Sequence, residues 1–421
     1  MRELRVNVLF DPVMLDVLFV LQLHTGDEPL LPRLESLECQ TVTETFMPFI
    51  PLFLSPKTVK ISIGFGVNAS TIIVASMITR FSELCPNIQH LVLDGLPSNR
   101  VIIEAVSEML LACNRDALRS FDVDYPLTEE ARRFLHTLPK LRKLWVFTQG
   151  PTLLPPLALP DLEELYIDWD CGRDWIQGFC GATIGKLKAI TFQSLSGSTQ
   201  IGGFLEEFKT VALATSLQNT LSEFEFRTSQ SWNPNYSSLL VFNQMRILDI
   251  EFSCDNGCSS TVDDDTVTNL ARAMPKLKIL RLGKAPCSAL TGVTLRGLVA
   301  LAGHCPQLSE LCIHVQAREL GETITGVEPP RPSGNPAVIP QADCALTNLR
   351  VGEAPIPQEV ASAVALALLE VFPRILEVYH VDPRWKSVVE MIKLFRRIRG
   401  HVDHTSKAHL MYLECLLVMP Y

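Results

Sequence analysis

The chain has 421 residues, is 47% hydrophobic and carries a formal net charge of −9 with a pI near 5.6. That acidic balance removes the usual electrostatic basis for binding nucleic acid. A mean hydropathy of +0.20 is ample for a continuous core, but no apolar run is long enough to cross a bilayer.

In chain order, the opening residues RELRVNVLF predict the strand of a partial repeat, with Leu4, Val6 and Val8 on one side. Nothing ahead of that strand would close the end of a repeat array, so residue 1 reads as cut from a longer chain or as having lost its cap. The apolar run Val13–Leu23 is broken by Asp16, and the acidic Glu3 and Asp11 ahead of it do not fit a signal peptide.

From Leu34 onward one unit recurs. Its clearest copy is Met274–Gly283, MPKLKILRLG: a helix end, Pro275 to stop it, then Leu277-x-x-Leu280-x-Leu282. Thirteen such anchors occur, at Leu34, Thr58, Ile88, Leu118, Leu141, Leu162, Leu187, Leu221, Met245, Leu277, Leu308, Leu346 and Ile375. Eight of them have proline two residues earlier. The mean step of about 28 residues lies in the upper part of the leucine-rich-repeat range of roughly 20–29. The expected fold is therefore α/β: a leucine-rich-repeat solenoid, a ribonuclease-inhibitor-like horseshoe with parallel strands concave and helices convex. A doubly wound α/β sheet is the competing arrangement.

Between anchors, apolar periodicity predicts helices over 70–84, 101–112, 128–138, 203–214, 263–274 and 294–304. Thr128 and the triplet Asp263, Asp264 and Asp265 read as helix starts. Pro151, Pro155 and Pro156 make a short return between Leu141 and Leu162 a loop, and 319–345, with five prolines from Pro329 to Pro340, a long surface loop. After Ile375 the pattern stops. Residues 384–399 form a basic amphipathic helix with Trp385, Val388, Val389, Ile392 and Phe395 on one face. The domain expectation is a solenoid over 1–382 and a C-terminal helical cap over 383–421.

No arrangement of catalytic type is present: no G-x-x-x-x-G-K-[ST], G-x-S-x-G, H-E-x-x-H or C-x-x-C. Cys254 and Cys258 lack a second pair for zinc, and His401, His404 and His409 read as solvated. The expectation is no enzyme, no cofactor and no metal. The cysteines are scattered, several at core positions (Cys39, Cys85, Cys305), which implies free thiols in an intracellular compartment, cytoplasmic or nuclear.

Solenoid geometry then supplies a surface. Residues two, four and six after each anchor should point outward from the sheet, over a length of roughly 60 Å. Those 39 positions hold twelve acids against five lysines and arginines, so most of the chain's acidic excess falls on this face. Trp145, Phe147 and Tyr166 lie on adjacent strands, flanked by Asp122, Asp124, Lys143, Glu164 and Asp168. Farther along come Glu223, Glu225, Asp249 and Glu251. Large rigid aromatics inside a charged rim are how protein hot spots are built. The expected partner is a protein with a basic segment whose apolar or arginine anchor stacks on Trp145. Nucleic acid and membrane are not expected partners.

The blocks LPRLESLECQTVTETFMPFIPLFLSPK, ITRFSELCPNIQHLVLDGL, LHTLPKLRKLWVF and LAGHCPQLSELCI resemble the leucine-rich region of fungal F-box proteins, especially the expanded basidiomycete set. The Cys-Pro steps at Cys85-Pro86 and Cys305-Pro306 are similar to the cysteine-containing repeats of such adaptors. The resemblance implies repeats that select a substrate for a cullin–RING ubiquitin ligase. Docking on the ligase linker subunit would need an F-box, and no F-box is seen ahead of Leu4. The alternative expectation is a free-standing repeat scaffold or regulator with no ubiquitin role.

Overall fold

Strands form where apolar and polar residues alternate, because a pleated chain sends successive side chains to opposite faces. In KISIGF the burial alternates with the sequence: Ile61, Ile63 and Phe65 are buried while Lys60, Ser62 and Gly64 are not. The computed structural model describes residues 1–6, 12–26, 28–66, 68–148, 158–169, 182–194, 203–229, 234–252, 262–283, 292–316, 344–351, 356, 358–380 and 383–402. The predicted loops at 151–156 and through most of 319–345 lie outside these residues, as do Val8, Cys254, Cys258, His404 and His409. Two units are distinguished, Met1–Ser229 and Gln230–Tyr421.

The first unit contains strands β1 (Glu3–Val6), β2 (Ser36–Val42), β3 (Lys60–Phe65), β4 (His90–Asp94), β5 (Ser120–Val123), β6 (Lys143–Thr148), β7 (Glu164–Trp169), β8 (Ala189–Ser194) and β9 (Glu223–Thr228). Each pairs in parallel with the next in chain order. Its helices are α1 (Pro12–Thr25), α2 (Thr71–Leu84), α3 (Arg100–Ala112), α4 (Glu129–Leu135) and α5 (Phe204–Thr215). The second unit repeats the arrangement. Its strands are β10 (Ile247–Phe252), β11 (Ile279–Leu282), β12 (Glu310–Ile313), β13 (Asn348–Val351) and β14 (Glu377–Tyr379), and its helices α6 (Asp264–Ala273), α7 (Leu295–His304), α8 (Ala361–Val371) and α9 (Trp385–Val402). All described pairings in both units are parallel. Strand and helix thus alternate in a repeat-like α/β arrangement.

The pairing register is the one the anchor spacing predicts. Ser36, Lys60, His90, Ser120, Lys143, Glu164, Ala189 and Glu223 stand side by side across the first unit, each two residues after its anchor. Ile247, Ile279, Glu310, Asn348 and Glu377 do the same in the second. A slip of one residue would turn every core leucine to solvent, which is why this register is strongly specified.

The core lies between strands and helices. Phe192, Phe204, Phe208, Phe224 and Phe226, from β8, α5 and β9, are almost wholly buried, with Phe192 meeting Phe204 edge-on at 5.0 Å between ring centres. Polar anchors are satisfied by the preceding repeat: Thr58 Oγ1 donates to the Leu34 carbonyl at 3.1 Å. Cysteines serve the same purpose. The Cys305 thiol donates to the carbonyls of Ala271 and Met274, and the Cys344 thiol to those of Cys305 and Leu308. The six described cysteines are free. Burial pushes Cys39, Cys113 and Cys305 up to about 12, so these side chains stay as protonated thiols.

Helix starts follow their caps. Asn99 and Thr128 accept from the backbone N–H of Val101 and Ala131, and Asp263 accepts from Thr266 at 2.8 Å. The acidic triplet at 263–265 is thus a helix start. Its second member, Asp264, also accepts from the N–H groups of Thr294 and Gly297, tying α6 to the start of α7. Helix α4 ends at Leu135, three residues short of the predicted boundary, and helices α1 and α8 arise where no helix is predicted. In α9, Trp385, Val388 and Ile392 are buried on the predicted face, and the helix packs on α8.

Candidate functional site

The outer strand face of the first unit holds a groove of about 340 Å3 crossing β5 to β9. It runs between two rows set by the register. One row is Ser120, Lys143, Glu164, Ala189 and Glu223; the other is Asp122, Trp145, Tyr166 and Thr191. Ser120 and Ala189 are small, and the space beside them opens the groove.

Trp145 and Tyr166 face each other with ring centres 3.7 Å apart and planes tilted by 32°. Both rings are half-buried. The Tyr166 hydroxyl donates to Gln193 Oε1, which fixes that ring. Burial and the neighbouring Asp168 push the tyrosine up to about 12, so it stays neutral and a donor. The Trp145 indole Nε1 is shut off from solvent and has no hydrogen-bond partner. A buried unpaired donor typically costs about 1–3 kcal/mol, so the stacked pair is not in a fully satisfied resting place.

Beside the aromatics the charges are unevenly matched. Lys143 is drawn to Glu164 at 2.6 Å, away from Asp122 on the opposite neighbouring strand. Among the described residues Asp122 therefore has no cation partner. Partial burial, then Asp124 and Asp94, push its carboxyl up to about 6, with Lys143 acting only weakly the other way. Asp124 is raised as well, by burial and then by the neighbouring charge of Asp94. The turn after β4 sets up this contact. Gly95 has a positive φ of 69°, where a Cβ would lie 2.7 Å from the Phe65 carbonyl oxygen, so only glycine fits this turn, and its backbone N–H acts to lower the Asp124 carboxyl against those raising effects.

The predicted site residues therefore separate. Asp122, Lys143, Trp145, Glu164, Tyr166 and Glu223 come together around the groove. Asp124 directly follows β5 and Phe147 stands farther along β6, and Asp168 is buried beside Tyr166. Glu225 forms an ion pair at 3.0 Å with Arg227 on its own strand. Asp249 and Glu251 belong to the second unit. There Asp249 is buried and held at 3.0 Å by Arg281, which also grips Glu310 with two hydrogen bonds of 3.0 Å. Asp249 is therefore buried in an ion pair inside the second unit, where the sequence places it among the outward acids. Burial decides this, because a carboxylate inside needs its counter-ion permanently.

No protein-family model matches this chain. No curated protein matches it either. The site must therefore be read from its own chemistry. Among the described residues there is no cluster of three or more metal-ligating side chains, and no helix long and apolar enough to cross a membrane.

Ser120, Ala189 and Thr191 line the groove and Asp94 acts on Asp122; the sequence places all four on the outward face but outside the set singled out for docking. The signal was available: reading across the register instead of along the chain places small residues at both sides of the Lys143–Glu164 pair.

Proposed function

We propose that the chain is a protein-recognition module of the leucine-rich-repeat kind, a horseshoe with its strands on the concave side. Its docking site is the groove of the first unit, and it takes a basic segment of a partner protein. The observation that carries this reading is Asp122: a partly buried carboxylate with no cation paired to it among the described residues, pressed by Asp124 and Asp94, next to the half-buried Trp145–Tyr166 pair. A carboxylate left uncompensated beside exposed aromatic surface is unfavourable in the free protein and favourable once a cation arrives. The resemblance to fungal F-box repeats makes a ubiquitin-ligase substrate the first partner class to test.

The experiment is capture of interacting proteins by the full chain and by a Trp145→Ala, Tyr166→Ala variant. The expected result is a set of basic proteins retained by the first and lost by the second, with melting temperature little changed. Equal capture by both would refute the groove as the docking site. Co-purification with a cullin–RING linker subunit would place the chain in a ligase; capture of basic proteins without that subunit would assign it to a free-standing scaffold.

A further inference from the structure

We propose that the end of the groove between Asp122 and Trp145 is a slot for one arginine side chain of the partner, and that it discriminates arginine from lysine. The inference rests on the basic-partner reading above and narrows it to a single residue type.

Three observations converge. First, the position is missing one positive charge. Asp122 has like charges at Asp94 and Asp124 and one nearby cation, Lys143, whose ammonium is held 2.6 Å from Glu164. Second, the neighbours of Asp122 in its row are Val92 on β4 and Trp145 on β6, so an incoming cation meets apolar and aromatic surface on the way to the carboxylate. Third, the opening is small. At about 340 Å3 the groove is near the lower end of the range for ligand pockets, roughly 300–1,000 Å3, room for a side chain or two.

Those conditions favour guanidinium over ammonium. A guanidinium is planar, stacks on an indole and grips a carboxylate with two parallel N–H donors. It is also more weakly hydrated, so it loses less on entering a partly dry groove. An ammonium keeps its water better and matches neither the flat ring nor the forked carboxylate. The second unit shows the same chemistry made internally: Arg281 forks onto Glu310, and the guanidinium of Arg350 lies 5.3 Å from the Tyr379 ring centre. At Asp122 and Trp145 the acid and the ring are present and the arginine is not supplied by the described chain.

The probes are acetylated, amidated peptides Gly-Lys-Gly-Lys-Gly-X-Gly-Lys-Gly-Lys-Gly, with X as arginine, lysine or citrulline. They are titrated calorimetrically into the full chain, its Asp122→Asn variant and its Trp145→Phe variant. The flanking lysines supply general attraction to the acidic face; only X tests the slot. The arginine peptide should bind about tenfold tighter than the other two. It should also change tryptophan fluorescence in the natural chain and not in Trp145→Phe. Asp122→Asn should erase the arginine advantage while the lysine peptide keeps its affinity within about twofold. Equal affinity for arginine and lysine peptides would overturn the slot and leave the basic-partner reading standing. No binding by any of the three would overturn both.

Discussion

The two units present outer strand faces of similar composition and opposite electrostatic state. In the second unit the charges close on one another. Asp249, Arg281, Glu310 and Arg350 form a chain of ion pairs across β10 to β13, and Arg350 continues it to the ring of Tyr379. In the first unit the pairing is incomplete: Lys143 satisfies Glu164, and Asp122 is left with like-charged neighbours. A face that neutralises itself is built to hold strands together. The first face leaves a carboxylate without a cation among the described residues and the Trp145 indole N–H without an acceptor, which is the feature the proposed docking role rests on.

The largest effect should come from breaking the closed face. Arg281→Ala takes from Asp249 its arginine partner and leaves Glu310 only the pair with Arg350, in a mostly buried setting, and removing one partner of such a pair costs about 3 kcal/mol or more. Hydrogen exchange over β10 to β12 should accelerate strongly, with affinity for a basic peptide unchanged. If β10 to β12 stay fully protected, the ladder is decorative and the contrast between the units fails.

Next is the open face. Trp145→Ala with Tyr166→Ala should weaken binding of basic partners by about 2 kcal/mol or more, the scale of an interface hot spot. Its loss of stability should be smaller than that of Arg281→Ala, because both rings are already half in solvent. A larger loss in urea unfolding would mark the aromatic pair as a structural element.

Asp122→Asn should act in the opposite direction on stability. The carboxyl sits at about 6 in the folded chain against an ordinary value of 3.8. Between those pH values the unfolded chain releases a proton that the folded chain keeps, so stability falls as pH rises and the full penalty remains above pH 6. The amide should therefore raise stability at pH 7.5, by about 1 kcal/mol once solvent screening is allowed for, and leave it unchanged at pH 3.5. The same titration should make the natural chain release basic peptides as pH drops below about 6. A stability gain of equal size at both pH values would show that the charge of Asp122 is not its cause.

The smallest effect tests the boundary between the two states. Lys143→Gln removes an exposed pair and should shift stability by less than about 1 kcal/mol. It should tighten binding of a basic peptide modestly, since Glu164 then joins Asp122 in facing the groove uncompensated. Weaker binding would mean that Lys143 contributes to recognition instead of competing with it.

Much of this molecule was legible beforehand, because its information is local. Leucines two apart fix which face of a strand goes inward, prolines stop the helices, and Asn99, Thr128 and Asp263 cap where a side-chain oxygen meets free N–H groups. The C-terminal helix buries Trp385, Val388 and Ile392 on the stripe its periodicity drew. What the sequence does not carry is a distinction among the outward acids. Asp122 and Asp249 occupy the same position after their anchors, yet among the described residues one has no paired cation and the other is clasped by Arg281.

By itself, then, the sequence determined the strands, their inward residues, their order and their register, since alternation and short-range capping act within one turn of chain. Only the tertiary structure decided which charges cancel. Ion pairing depends on which side chains lie a few ångströms apart on neighbouring strands, 21 (Lys143–Glu164) to 40 (Glu310–Arg350) residues away along the chain, and on how much water remains between them. Coulomb attraction falls with distance in space and takes no account of separation in sequence.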